Sequence, residues 1–278
     1  MLRKATEEDF LDLIIMRCEA YGCSRTQSAG WLRGIVGLDN LLVLEKPSDG
    51  PGPSRFAAML AAVPVKTGYR KGIWFAGMAT RADLRGRGLM TKLLDTCLRA
   101  YAESGYHFAV TVPDSGRTAE YFAKLQFQNA FPMRAITKPI QRNLLAQADF
   151  DTMPVRRLCE TRLRYQPGCV MLPEATMTEM MTELYSAGIT VVSNPRGYGL
   201  YYTDADRLQF IELQADNDHS ADTLLQAARE KTGASTAKIL LAENQALYLG
   251  EGRRCPYGMI RFFKKPFTLT DVYFRLLI

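Results

Sequence analysis

The stretch from Gly72 to Phe127 constrains this chain more than any other. It reads as an apolar strand, a basic glycine loop, an amphipathic helix, a second strand and a second helix. The loop Arg85-Gly86-Arg87-Gly88 falls between the apolar run Ile73 to Ala79 and a helix starting near Leu89. The first N–H groups of a helix have no carbonyl partner within it, so they face whatever sits at its N-terminus, and that occupant is best an anion. Two glycines allow positive φ and a close backbone approach, and two arginines add charge. A pyrophosphate, as in a coenzyme bearing a diphosphate, is the natural occupant.

The spacing excludes two better-known phosphate loops. A P-loop needs Gly-Lys followed by Ser or Thr after four intervening residues, and a dinucleotide loop needs G-x-G-x-x-G with an acid about 20 positions on. Neither occurs in this sequence. Beyond the loop, Leu89, Met90, Leu93, Leu94, Cys97, Leu98 and Tyr101 recur at helical spacing, leaving Lys92, Asp95, Arg99 and Glu103 for solvent. Gly105 is placed to end that helix, Tyr106 to Val112 reads as the next strand, and Pro113 stops it.

The 278 residues, 47% hydrophobic, are enough for two domains of ordinary size. No apolar run reaches the roughly 18 residues that would cross a bilayer, and acids stand where a signal peptide would be apolar, so a cytoplasmic protein without membrane partners is expected. The cysteines at 18, 23, 97, 159, 169 and 255 show no C-x-x-C spacing and the chain has two histidines, so reduced, mostly buried thiols and no metal are expected. The net charge of +6 has its excess in the half that carries the loop. One arginine-glycine segment between a strand and a helix is not a disordered RNA-binding repeat, so no nucleic-acid partner is expected.

The pattern Arg85-x-x-Gly88-x-Met90 between strand and helix, closed by Tyr121-Phe122-Ala123-Lys124-Leu125-Gln126-Phe127, resembles the GNAT superfamily of acyl-CoA N-acyltransferases. Upstream, a first strand at Leu2 to Ala5, an N-cap at Thr6 followed by Glu7, Glu8 and Asp9, and a helix through Phe10, Leu13, Ile14 and Cys18 agree with it. Strands are expected at Leu41 to Glu45 and Arg55 to Val65, separated by a Pro/Gly/Ser turn from Lys46 to Pro53.

The resemblance implies an α/β fold of the α+β kind, a mixed central sheet flanked by helices. It also implies transfer of an acyl group, foremost acetyl, from acetyl-CoA or another acyl-CoA to a primary amine of a small molecule or peptide. Pantetheine would lie along Met78, Ala79 and Thr80. The pyrophosphate would be held by the backbone of Gly86, Arg87, Gly88, Leu89 and Met90 and by the side chains of Arg85 and Arg87, and Ser115 would stand where the family often has a pantetheine-contacting Asn. Two features depart from the family pattern: Phe122 occupies the place of its usual catalytic tyrosine, and Gln126 replaces a glycine. The candidate acid is therefore the neighbouring Tyr121 and the candidate base Asp114, while His107 and Glu120 read as strand-start and solvated residues. Tyr21, Trp31, Leu32 and the strand Trp74 to Met78 are candidate walls of the acceptor pocket. Two alternatives stand beside the enzyme: an acyl-CoA-binding protein without turnover, and a non-enzymatic interaction module. A homo-oligomer is left open.

The second half repeats the order of elements. A polar, Arg-rich linker (Gln141 to Gln166) precedes a helix at Ala175 to Ser186 and strands at Thr190 to Ser193, Tyr198 to Tyr202 and Leu208 to Ala215. A helix from Ala221 to Lys231 behind a Ser220 cap and a strand at Ala237 to Ala242 follow. The intervening loop, Asp216-Asn217-Asp218-His219-Ser220, is acidic and would repel a pyrophosphate. Two tandem GNAT-like domains are therefore expected, a catalytic one over residues 1–140 and a degenerate one over 141–278. This pairing resembles the enhanced-intracellular-survival group of acetyltransferases, without the sterol-carrier-like domain of that group and without a role for the terminal Ile278.

Overall fold

The N-terminal strand β1 (Leu2–Lys4) pairs antiparallel with β2 (Leu41–Glu45) in the computed structural model, which describes residues 1–46 and 55–277. The expected turn after Lys46 lies outside the described residues. Between these strands run α1 (Phe10–Tyr21), α2 (Arg25–Gly30) and a π-helical turn, Trp31–Val36. Asp9 fixes the start of this segment. Its carboxylate is fully buried and accepts hydrogen bonds from Arg3 at 2.6 and 3.0 Å and from the Thr6 amide at 2.8 Å.

Two long strands, β3 (Phe56–Thr67) and β4 (Arg70–Thr80), form an antiparallel hairpin, followed by α3 (Leu89–Glu103) and β5 (Phe108–Thr111). Helix α3 buries Leu93, Leu94, Cys97 and Leu98 in one core with Ala58, Leu60, Ala62, Ile73, Phe75 and Phe122. Its apolar stripe sets that orientation, as the spacing predicts. Next come α4 (Gly116–Lys124), β6 (Gln128–Ala130) and β7 (Met133–Pro139).

The segment expected as a linker contains a helix, α5 (Val155–Tyr165). Its apolar stripe is short and its many arginines mask the period, and one of them, Arg162, turns inward. The remaining elements are α6 (Glu174–Ser186), β8 (Thr190–Asn194), β9 (Gly197–Asp204), β10 (Arg207–Ala215), α7 (Asp218–Thr232), β11 (Thr236–Ala242), β12 (Arg253–Cys255) and β13 (Gly258–Phe262). Helix α7 starts earlier than expected. Asn217 is its cap, with Oδ1 accepting the Ser220 amide at 2.9 Å, so Ser220 lies inside the first turn.

The chain divides into two units that are not consecutive in sequence. The first comprises Met1–Gln128, Ala175–Glu179 and Met259–Pro266, and the rest of the chain makes the second. The first sheet has the order β1-β2-β3-β4-β5-β13-β6 and the second β12-β7-β11-β10-β9-β8. Both are mixed, and they repeat one plan. A strand (β4 or β10) passes through a helix (α3 or α7) to a parallel neighbour (β5 or β11), which then pairs antiparallel with a further strand. In the first sheet that further strand is β13, from late in the chain, and in the second it is β7.

The second unit contains a buried ionic network. Arg162 donates through Nε and Nη2 to the two Glu212 oxygens, each at 2.8 Å, and the Tyr273 hydroxyl donates to Glu212 Oε1 at 2.8 Å. Burial alone would raise the Glu212 carboxyl; the Arg162 charge and these hydrogen bonds outweigh it and hold the group below its ordinary value.

Candidate functional site

Strands β4 and β5 run parallel only from Gly72↔Phe108 through Trp74↔Val110, yet β4 continues to Thr80. Where the ladder ends, the Thr111 hydroxyl donates to the Phe75 carbonyl at 3.0 Å. Burial along β4 falls at the same place, complete from Gly72 to Phe75 and partial from Ala76 to Met78. The same stretch of β4 carries a bulge. Gly77 has φ +57°, and the register against β3 slips between Met59↔Ala79 and Ala61↔Ala76. A side chain at Gly77 would put its Cβ 2.1 Å from Trp31, so the indole lies directly on the bulge. A glycine within an otherwise apolar strand is the sequence signal for such a bulge, and the sequence reading did not use it.

The opened end of β4 leads into the loop. After Arg81 and a 3₁₀ turn, Ala82–Leu84, the Arg85 Nε donates back to the Thr80 carbonyl at 3.1 Å and fixes the loop against the strand end. Arg87 donates to the Asp83 carbonyl at 3.3 Å and remains exposed. Gly86 and Gly88 have φ +76° and +73°, and a Cβ at either would meet nothing within 4 Å. Their requirement is conformational, and the space above them is open. Gly88 is the N-cap residue of α3 and offers no side-chain capping bond, so the first-turn amides keep their donors for a ligand.

The corresponding place in the second unit is closed by its own side chains. Asn217 caps α7, and the Asp218 carboxylate, in the first turn, accepts the Tyr248 amide at 2.8 Å. The N-terminus of α3 is left without a side-chain cap, whereas that of α7 is capped by its own loop.

Met78, Ala79 and Thr80 occupy the end of β4 beyond its pairing with β5, with Arg85 to Met90 following them into α3. Asp114 and Ser115 lie past the end of β5, both exposed. Both take part in the start of α4: Ser115 Oγ accepts the Thr118 amide at 3.2 Å, and the Thr118 hydroxyl donates to Asp114. Tyr121 is half-buried on α4, with its hydroxyl 3.4 Å from Thr91 Oγ1 in the first turn of α3. Burial raises its pKa above the ordinary phenol value, partly offset by the Thr91 hydroxyl. Phe122 is 2% exposed, with its ring edge-on to Tyr121 at 5.4 Å between centroids and to Phe127 at 5.3 Å. Gln126 adopts φ +63°, a left-handed conformation suited to the glycine it replaces.

Tyr21, at the end of α1, reaches across to β4, where its hydroxyl donates to the Met78 carbonyl at 3.1 Å. Burial pushes its pKa up to about 12, Arg17 pulling it down and Asp114 adding to the rise. The Arg17 guanidinium lies over the Trp31 ring at 4.4 Å and the Tyr21 ring at 5.3 Å. These aromatic groups were expected as pocket walls, whereas nothing in the sequence marked Arg17.

Residues 1–123 match the family model for the acetyltransferase (GNAT) domain. No curated protein matches the sequence. Among solved structures, a GCN5-related N-acetyltransferase from Anabaena variabilis has a TM-score of 0.73 at 15% identity, over 95% of this chain and 73% of that one. Eis1 from Mycobacterium abscessus has a TM-score of 0.67 at 12% identity, over 95% and 74%. The Saccharomyces cerevisiae N-myristoyltransferase with bound myristoyl-CoA has a TM-score of 0.55 at 10% identity, over 95% and 82%. At these identities the likeness is one of fold. Residues 1–123 are thus similar to the acetyltransferase (GNAT) domain, and the chain shares its fold with these solved structures.

Proposed function

We propose that the first unit is an acyl-CoA-dependent N-acyltransferase that passes an acetyl group to a primary amine of a small molecule or peptide. One observation carries the reading: β4 continues to Thr80 past its last pair with β5 at Trp74, and the loop after it leads into a glycine-entered helix whose first turn has no side-chain cap. An extended chain ending in a pyrophosphate fits that sequence of features, because the open strand offers unpaired backbone groups along one side and the helix N-terminus offers donors at its end.

Met78, Ala79 and Thr80 would align the pantetheine arm, with Ser115 opposite. The amides from Gly86 to Met90 and the guanidinium groups of Arg85 and Arg87 would hold the phosphates. Bound acyl-CoA supplies a thioester whose carbonyl carbon accepts the amine. Asp114 would take the amine proton at its carboxylate, and the Tyr121 hydroxyl would hold a proton for the departing sulfur.

Calorimetric titration with acetyl-CoA, beside an Arg85→Ala/Gly88→Asp double variant, tests the site. Binding at micromolar strength that the variant loses is expected, and no binding to the parent chain would end the reading. Release of free thiol with a panel of primary amines, corrected for hydrolysis, then tests turnover. The burial of Phe122 favours a second reading, acyl-CoA binding without turnover, since the family position of the acid carries no proton to give. Binding without amine-dependent thiol release would select it.

A further inference from the structure

Cys18 and Cys23 lie at the turn that closes α1, outside every role assigned above. The Gly22 amide donates to the Cys18 carbonyl at 2.9 Å and Gly22 has φ +65°, the left-handed helix ending that folds the following residue back beside the last turn. Cys23 is that residue. Ser28 Oγ, fully buried, sits 3.2 Å from the Cys18 sulfur and 3.1 Å from the Cys23 sulfur. The two thiols therefore share one hydroxyl. Both are partly exposed, in contrast to the buried Cys97 and Cys169 and to the expectation of mostly buried thiols. The Arg17 Nη1–H donates to the Cys23 sulfur at 2.9 Å, and Arg17 Nε, buried, has no hydrogen-bond partner among the described residues.

We propose that Cys18 and Cys23 form a redox-active dithiol that closes to an intramolecular disulfide in the presence of a hydroperoxide. In the first step a lone pair of the Cys23 thiol, which lies on the turn rather than within the helix, attacks a peroxide oxygen. The O–O bond breaks, giving a sulfenic acid and water (an alcohol from an organic peroxide). The Cys18 sulfur then attacks the Cys23 sulfur, the S–O bond breaks, and the Cys18 proton leaves with the oxygen as a second water. Two electrons pass from the sulfur pair to the peroxide. Both sulfurs contact the same Ser28 hydroxyl with four residues between the two cysteines, so only a short loop has to close to join them.

The consequence reaches the candidate acceptor wall. Cys23 supplies an acceptor to Arg17, and Arg17 lies over Trp31 and Tyr21, the first resting on the Gly77 bulge and the second bonded to the Met78 carbonyl. Closing the disulfide changes the group that Arg17 donates to and alters that wall.

The test is peroxide titration of the folded full chain, followed by alkylation of the remaining thiols and tryptic mapping. Cleavage after Arg17 and Arg25 yields one peptide containing both cysteines. With one equivalent of hydrogen peroxide, this peptide is expected to lose two hydrogens and escape alkylation before any other cysteine is oxidised, and dithiothreitol should reverse the change. A Cys18→Ser variant should retain a dimedone-reactive sulfenic acid at Cys23. Full alkylation of both sulfurs while Cys159 or Cys255 is oxidised first would overturn the proposal, as would prior oxidation of Cys23 to the sulfinic acid in the parent chain.

Discussion

Adjacent residues 121 and 122 show how one helical step changes what a side chain meets. Phe122 enters the core with Phe127, while Tyr121 turns its hydroxyl toward Thr91 at the start of α3. Tyr121→Phe removes only that hydroxyl. As a general acid its loss is expected to lower kcat about 100-fold with the KM for acetyl-CoA unchanged, and steady-state kinetics with a competent amine checks this. An unchanged kcat would take Tyr121 out of the chemistry and leave water as the proton source. The motif that points to this helix was legible in the sequence, but which residue faces the loop was not, because helical spacing gives angles and not the neighbour each side chain meets. Asp9 shows a residue whose role is stability. Hydrogen bonds from Arg3 first, against the opposing effect of burial, lower its pKa from 3.8 to about 2. Since folding lowers the value, the unfolded chain binds the proton more readily. The stabilisation is complete above the unfolded value of 3.8 and is lost as pH falls through 2. Urea midpoints measured from about pH 5 to about pH 2.5 should fall more steeply in the parent chain than in Asp9→Asn, which starts from a lower midpoint.

At the scale of elements, the two strand-loop-helix units are the informative pair. Their order and the contrast between a basic glycine loop and an acidic one could be read directly, because Gly, Arg and Asp act locally. The opening of β4 could not, since it depends on where the β5 ladder stops and on an indole contributed from before β2. Gly77→Ala tests that opening. Its Cβ would stand 2.1 Å from Trp31 on a backbone with φ +57°. Left-handed strain and overpacking together are expected to cost about 3 kcal/mol in denaturant unfolding and to weaken acetyl-CoA binding. A variant as stable as the parent would mean that the bulge does not depend on glycine. The arginine-rich run around α5 shows the opposite limit. Its residues read as a polar connection, yet Arg162 is taken inward by Glu212, a partner fifty residues away.

For the whole molecule, that ion pair and the late strand β13 matter most. Arg162→Met leaves the Glu212 carboxylate buried without its cation and is expected to cost about 3–5 kcal/mol. The double variant Arg162→Met/Glu212→Leu should recover most of that loss, and a double-mutant cycle on unfolding midpoints checks both statements. No local pattern announces β13, because a strand in the first sheet drawn from Gly258–Phe262 is a long-range pairing with β5. That pairing also sets a timetable. A ribosome delivers the glycine loop, α3 and β5 early, but the edge of β5 waits, unpaired, while most of the remaining chain is made. The unit that carries the loop therefore closes only once residue 262 has emerged, and a nascent chain interrupted before that point has a candidate coenzyme loop beside an incomplete sheet.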